Sequence, residues 1–227
     1  MVDLVGLRRE TYKVIASLRL LTGRRLLSPV GEATRPTSSR VREAVLNLLG
    51  QKIEGSYWLD LCSGSGVMGC EALQRGASLV VAVERHAKTA ELCETNLLNS
   101  SKGLPQKVVC RVFRKEVLSF LKGGPKQEKL LDLSRQRPLG LTFDTIYFDP
   151  PYASGLYLPV IRSLLSGGWL SRDGIVICEH STEFDLKPPR PWKVIDQRVY
   201  GNSALLLISL PKNYSCDTDS KHQQIGP

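Results

Sequence analysis

Three carboxylates stand out by where they fall: Asp60 in "WLDLCSGSG", Glu84 in "VVAVERH" and Asp149 in "YFDPPY". Glu84 and Asp149 close apolar runs of the kind a buried strand makes, and Asp60 stands within one. Asp60 leads into Gly64-Ser65-Gly66, and "GVMGCEALQRG" then reads as a helix. Glycines let the backbone turn tightly and approach a ligand with no Cβ in the way. A helix starting there aims its unpaired N–H groups at the same spot. A dinucleotide fingerprint has similar glycines, but a carboxylate at position 60 suits a cationic group better than a pyrophosphate. No G-K-[ST] follows, which excludes a P-loop. Glu84 closes the next apolar run, where an acid can accept both hydroxyls of a ribose. Acid, glycine turn and acid, without a phosphate-binding lysine, describe a site for adenosine joined to an amino acid. S-adenosyl-L-methionine is that molecule.

Asp149-Pro150-Pro151-Tyr152 makes a second constellation. Proline cannot extend a β-ladder, so the pair must stop the strand. Proline also holds the residue before it extended, which aims Asp149 at the crevice beyond the strand ends. The Asp149 carboxylate and a proline carbonyl could take both hydrogens of an exocyclic amine. Such an amine is a poor nucleophile because its lone pair is delocalised into the ring. Acceptors that draw it towards tetrahedral geometry localise that pair, a contribution of positioning and electrostatics. Tyr152 offers a flat face for stacking, and a paired base would have to be turned out to reach it. Asp149, Pro150 and Tyr152 are the candidate catalytic residues.

The elements that must position these groups alternate. Strands are expected at "YWLDL", "SLVVAVE", "KVVCRVF", "FDTIYF" and "GIVICE", with helices at "GVMGCEALQRG", "KTAELCETNLLNS", "VLSFLK" and "YLPVIRSLLSGGWL". This is the signature of βαβ units and a parallel sheet covered on both faces. "WKVIDQRVY" and "SALLLISL", joined at Gly201-Asn202, predict a closing antiparallel hairpin. "LRLLTGRRLLSP" suggests a small hairpin about Thr22-Gly23. "TRPTSSRVREAVLNLLG" predicts a helix capped at Ser38 or Ser39, with Val41, Val45, Leu48 and Leu49 as its apolar stripe and Gly50 as its end. We therefore expect an N-terminal appendage over 1–50, a main domain over 51–211 and a disordered tail over 212–227. Residues 122–140 read as an inserted surface loop.

The 227 residues carry a net charge of +9. Residues 1–42 hold nine Lys/Arg against Asp3, Glu10 and Glu32, so +6 resides in less than a fifth of the chain. Concentrated positive charge is what a phosphate backbone attracts, which makes Arg24, Arg25, Arg35, Arg40 and Arg42 candidate RNA contacts. No apolar run is long enough to span a bilayer, and "MVDLVGLRRE" carries charges where a signal peptide needs an apolar stretch. The six cysteines show no C-x-x-C pair and no metal spacing. A soluble cytoplasmic monomer with reduced thiols and no metal is expected.

"TRPTSSRVREAVLNLL", "WLDLCSGSGVMGCEAL", "YFDPPY" and "GGWLSRDGIVICE" together resemble the RsmD family of small-subunit ribosomal RNA guanine-N2 methyltransferases. The glycine turn and D-P-P-Y are shared by many amino-methyltransferases; the T-R-P-T…R-V-R-E segment narrows the resemblance to this family. It implies a Rossmann-like methyltransferase fold and S-adenosyl-L-methionine as methyl donor, with ribosomal RNA or an assembling small subunit as partner. It implies that Asp60, Ser63, Gly64 and Gly66 line the methionine part of the cofactor, that Glu84 holds the ribose and that Glu116 lies near the adenine. Asp149, Pro150 and Tyr152 would hold the guanine, with Arg35, Thr37 and Arg40 bordering the cleft or contacting RNA. The residues alone leave two alternatives open: methylation of adenine N6 in DNA or RNA, and a non-catalytic ribosome assembly factor on the same scaffold.

Overall fold

The computed structural model describes residues 18–28, 37–125 and 141–214. Seven strands form one sheet: β1 (Tyr57–Leu61), β2 (Leu79–Glu84), β3 (Val109–Arg114), β4 (Phe143–Phe148), β5 (Leu170–Ser181), β6 (Lys193–Tyr200) and β7 (Ser203–Ser209). Their order across the sheet is β3-β2-β1-β4-β5-β7-β6. The first five run parallel, β7 pairs antiparallel with β5, and β6 pairs antiparallel with β7. Every residue of β1 and β2 is buried, as strands covered on both faces must be.

Two apolar layers cover the faces. On one, α4 (Val117–Lys122) and α5 (Tyr157–Ser166) pack Phe120, Tyr157 and Ile161 against Leu59, Leu61, Phe148 and Cys178. On the other, α1 (Ser39–Leu49), α2 (Val67–Gln74) and α3 (Ala87–Ser101) pack Leu46, Met68 and Leu97 against Trp58, Val80 and Tyr147. The N-terminal segment belongs to this second layer. Leu18, Leu20 and Leu26 are buried in it, across a tight turn in which Leu26 N–H donates to the Leu18 carbonyl at 2.9 Å. Among the described residues the strand-like pairing there is one bridge, Arg19 with Arg25. Ser38 caps α1 by accepting from Val41 N–H at 3.2 Å, and Gly50 at φ 54° ends it.

Two expectations are corrected. The buried face of α1 is Val41, Arg42, Val45, Leu46 and Leu49, with Leu48 only partly covered. The last helix stops at Ser166 instead of running to Leu170. Gly167 and Gly168 (φ +63°) turn the chain, Trp169 drops into the core and β5 begins at once. The Trp169 Nε1–H reaches the Leu121 carbonyl at 3.3 Å, so that side chain anchors the turn. Residues 126–140, which make up most of the expected insertion, and the tail beyond Tyr214 lie outside the described residues.

Candidate functional site

The strand register assembles the site. Val83 on β2, Leu61 on β1, Phe148 on β4 and Cys178 on β5 lie in register, each paired with the next across adjacent strands. One residue further along each strand stand Glu84, Cys62, Asp149 and Glu179, a row across the carboxyl edge of the sheet. Ligands of open α/β sheets bind beyond this edge, and here it floors a cleft of about 800 Å³. The cleft walls include Asp60, Ser63, Gly64, Glu84, Glu116, Asp149, Pro150 and Tyr152, so these predicted residues meet in one place. Gly66, the N-cap of α2, lies in the chain between the wall residues Ser65 and Val67 and is not itself part of the wall.

In the half of the cleft beside the glycine turn, backbone amides hold the acids. Glu84 is buried; its Oε2 accepts from Gly64 N–H at 3.1 Å and its Oε1 from His86 N–H at 2.8 Å. Asp60 Oδ2 accepts from Gly69 N–H at 3.2 Å. Burial pushes the Asp60 carboxyl up to about 7, against the Gly69 amide and with a smaller contribution from the Glu84 charge. The turn between them needs its glycines. Gly64 and Gly66 have φ of 53° and 75°, and a Cβ on Gly66 would lie 2.6 Å from Cys93 Sγ. Ser63 N–H donates to the Val83 carbonyl at 3.0 Å, which ties the turn to β2. Glu116 caps α4, accepting from Ser119 N–H at 2.9 Å. Its place in the cleft and its capping role coexist.

These residues fit a cationic adenosyl amino acid. A buried carboxyl raised towards neutrality is relieved by a positive ligand. In the first turn of α2 the Gly69 N–H is taken by Asp60, while the N-cap, Gly66, brings no side chain to the other amides. Beside Gly64 there is open space where a Cβ would project.

In the other half, side chains hold one another. Pro150 is buried and Tyr152 is 37% exposed, its hydroxyl 3.1 Å from Ser203 Oγ at the start of β7. Tyr147 donates its hydroxyl to Glu179 Oε2 at 2.5 Å, and Tyr157 donates to the Glu179 backbone carbonyl at 2.9 Å. Burial and the Glu179 charge raise the Tyr147 phenol well above its ordinary value, keeping it a neutral donor. Thr37 and Ser38, at the start of α1, complete this wall. Glu179 and Ser203 were not identified from the sequence. The rule that singled out Glu84, an acid at the carboxyl end of a parallel strand, would have found Glu179 as well.

The arginines behave differently from the acids. None of the four described, Arg24, Arg25, Arg40 and Arg42, lines the cleft. Arg42 is corrected from a candidate RNA contact to an internal tie, because it is 4% exposed. Its Nε meets Glu71 Oε1 at 3.2 Å, Nη1 donates to the Thr37 carbonyl at 2.8 Å and Nη2 to the Arg19 carbonyl at 2.7 Å. Asn96 makes a second tie: Oδ1 accepts from Leu27 N–H at 2.9 Å, and Nδ2 donates to the Leu27 and Ser65 carbonyls at 3.0 and 2.9 Å. Arg24 is exposed and donates to the Asn99 carbonyl at 2.6 Å, near the end of α3. Arg25 is exposed, and Arg40 lies over the Tyr200 ring, 5.9 Å from its centroid. Arg35 lies outside the described residues. The five described cysteines are unbonded to one another. No described helix is long and apolar enough to cross a membrane.

Sheet order, glycine turn and acidic row together define the Rossmann-like fold of S-adenosylmethionine-dependent methyltransferases. The chain belongs to the RsmD family, whose model, described as Conserved hypothetical protein 95, matches residues 13–209. It is 29% identical to Ribosomal RNA small subunit methyltransferase D of Escherichia coli K12 over 200 residues, covering 87% of this chain and 90% of that one. The solved structure of Escherichia coli yhhF is 26% identical and covers 85% of this chain and 97% of its own, with a TM-score of 0.67. SMU.776, solved in complex with SAH, shares the fold alone at 17% identity and TM-score 0.54, over 81% of this chain and 52% of that one.

Proposed function

We propose that the protein transfers a methyl group from S-adenosyl-L-methionine to the exocyclic N2 amine of a guanine in small-subunit (16S) ribosomal RNA. One observation carries the reading: Asp149-Pro150-Pro151-Tyr152 ends β4 inside the same cleft that holds the buried Asp60 and Glu84. The similarity to Ribosomal RNA small subunit methyltransferase D of Escherichia coli supports ribosomal RNA as the substrate class. The donor, when bound, supplies a methyl already activated as a sulfonium.

The chain's own residues do the rest. Asp60 offsets positive charge on the amino acid part of the donor, Glu84 accepts its ribose hydroxyls, and Ser63, Gly64 and Gly66 form the turn beside it. Glu116 borders the adenine end. Asp149 and the Pro150 carbonyl accept the two hydrogens of the amine and turn its lone pair towards the donor. Asp149 is also the base within reach of the proton that the amine sheds. Tyr152, with its hydroxyl pinned by Ser203, presents a fixed ring on which the base stacks. Arg24, Arg25 and Arg40 remain surface cations for the RNA backbone, joined in this proposal by Arg35.

The test offers labelled S-adenosyl-L-methionine to small ribosomal subunits, naked ribosomal RNA and DNA, followed by nucleoside analysis. The expected product is N2-methylguanosine, absent with Asp149→Ala. N6-methyladenine would overturn the substrate and keep the chemistry. Cofactor binding without transfer to any of the three would favour an assembly factor.

A further inference from the structure

We propose that Glu179 reads the N1–H of the target guanine and thereby sets the choice of guanine over adenine; the inference rests on the amine-methylating reading above. Asp149 and a proline carbonyl hold an exocyclic amine, and adenine N6 and guanine N2 both present one. The discriminating atom is the neighbour. Guanine places a second donor, N1–H, beside its amine, whereas adenine places an acceptor, N1, beside its own. Enzymes that take a base out of its stack read this Watson–Crick edge with hydrogen bonds.

Glu179 is placed for that task. The β4–β5 register puts it beside Asp149 at the carboxyl edge, and it forms part of the cleft wall. Only 3% of the residue is exposed, so what it presents is presented in one orientation. Two tyrosines from different elements fix it. Tyr147 occupies Oε2 at 2.5 Å, and Tyr157 holds the backbone carbonyl at 2.9 Å. That leaves Oε1 for the cleft. Guanine would meet this oxygen with a donor. Adenine would meet it with a lone pair, and two acceptors in contact in a buried site lose their hydrogen bonds to water without replacement. Sites built around a substrate N–H can reject an analogue lacking it by about 10⁴-fold. Tyr147 is a positioning residue here, acting on the base through Glu179.

The experiment substitutes 2-aminopurine for the methylated guanine in the RNA substrate. This analogue keeps the 2-amine but has an acceptor at N1. The wild-type protein is expected to favour guanine by about 100-fold or more in kcat/KM. In Glu179→Gln the amide oxygen can still accept from Tyr147, which turns an NH₂ donor to the cleft. The preference should then shrink by about tenfold or more as the analogue improves and guanine worsens. Tyr147→Phe should weaken it by less, about threefold, with cofactor affinity unchanged as the check on folding.

Equal wild-type rates on guanine and 2-aminopurine would overturn the inference even if no variant folds. So would a folded Glu179→Gln protein that keeps the full preference, and both results would leave N2 methylation standing. If the wild-type protein makes no N2-methylguanosine from any RNA, the parent reading fails and takes this one with it.

Discussion

The two halves of the cleft are held by different means. In the half beside the glycine turn, acids are fixed by backbone amides: Glu84 by Gly64 and His86, twenty and two residues away, Asp60 by Gly69 at nine, and Glu116 by Ser119 at three. In the half beside Asp149 and Tyr152, side chains are fixed by side chains from distant elements: Tyr147 with Glu179 across 32 residues and Tyr152 with Ser203 across 51. Backbone amides that are short-range partners form with the local turn and tolerate changes of side chain elsewhere. Long-range side-chain pairs exist only once the sheet is complete, and a single truncation removes them. The glycine-turn half is thus written mainly into turns and caps, and the Asp149 half into the tertiary structure.

Separating the halves is the most severe test of this contrast. Asp149→Ala should lower methyl transfer by about 100-fold or more, the scale of losing an oriented polar group at a reacting centre. Cofactor affinity measured by calorimetry should stay within about twofold. A parallel loss of binding would mean that the two halves are one unit.

The next effect belongs to Asp60. Its carboxyl titrates near 7 when folded and near its ordinary 3.8 when unfolded. Between those values the native state holds a proton that the unfolded chain has released. Stability contributed by this group is therefore present at low pH and lost as pH rises from about 4 through 7. The slope should be on the order of 1 kcal/mol per pH unit. Urea denaturation of the ligand-free protein over that range should show it, and Asp60→Asn should flatten it. A cationic ligand should bind more tightly as pH rises through 7.

Gly66→Ala addresses the turn itself. A Cβ 2.6 Å from Cys93 Sγ on a backbone at φ 75° should destabilise by about 1–3 kcal/mol in the same denaturation assay. Unchanged stability would show that the turn can relax. The smallest effect is Tyr152→Phe, which keeps the ring and loses the bond to Ser203. We expect about 0.5–1.5 kcal/mol of lost base positioning, read as a several-fold higher KM for RNA at nearly constant kcat.

Legibility in the sequence follows the same division. Asp60, the glycine turn and Glu84 could be found because a strand, a tight turn and a helix must follow one another along the chain. Asp149 could be found because two prolines announce the end of its strand. Glu179 closes "GIVICE" as Glu84 closes "VVAVE", so the strand-end rule reaches it, but its place beside Asp149 follows only from the strand order. Arg42 misled for a related reason. In a basic segment it looks like its neighbours Arg40 and Arg35, and its burial depends on Glu71, which lies on another helix. Position 170 was misread because an apolar helix end and an apolar strand start look alike until Gly167-Gly168 is recognised as the break. The seven-strand order was legible as a class but not in the early start of β5, where the register shifts between Phe143 and Thr145.

The ties made by Arg42 and Asn96 bear on the order in which the chain is made. Leu18, Leu20, Leu26 and Arg42 leave the ribosome before the acid and the amide that receive the segment, since Glu71 lies on α2 and Asn96 on α3. Leu21 N–H also waits for Glu71 Oε1, which it reaches at 2.9 Å. The segment around Leu21 and Leu27 therefore completes these bonds only after α3 has emerged. A nascent chain stalled before that point would present an apolar, positively charged segment to whatever RNA and chaperones surround it.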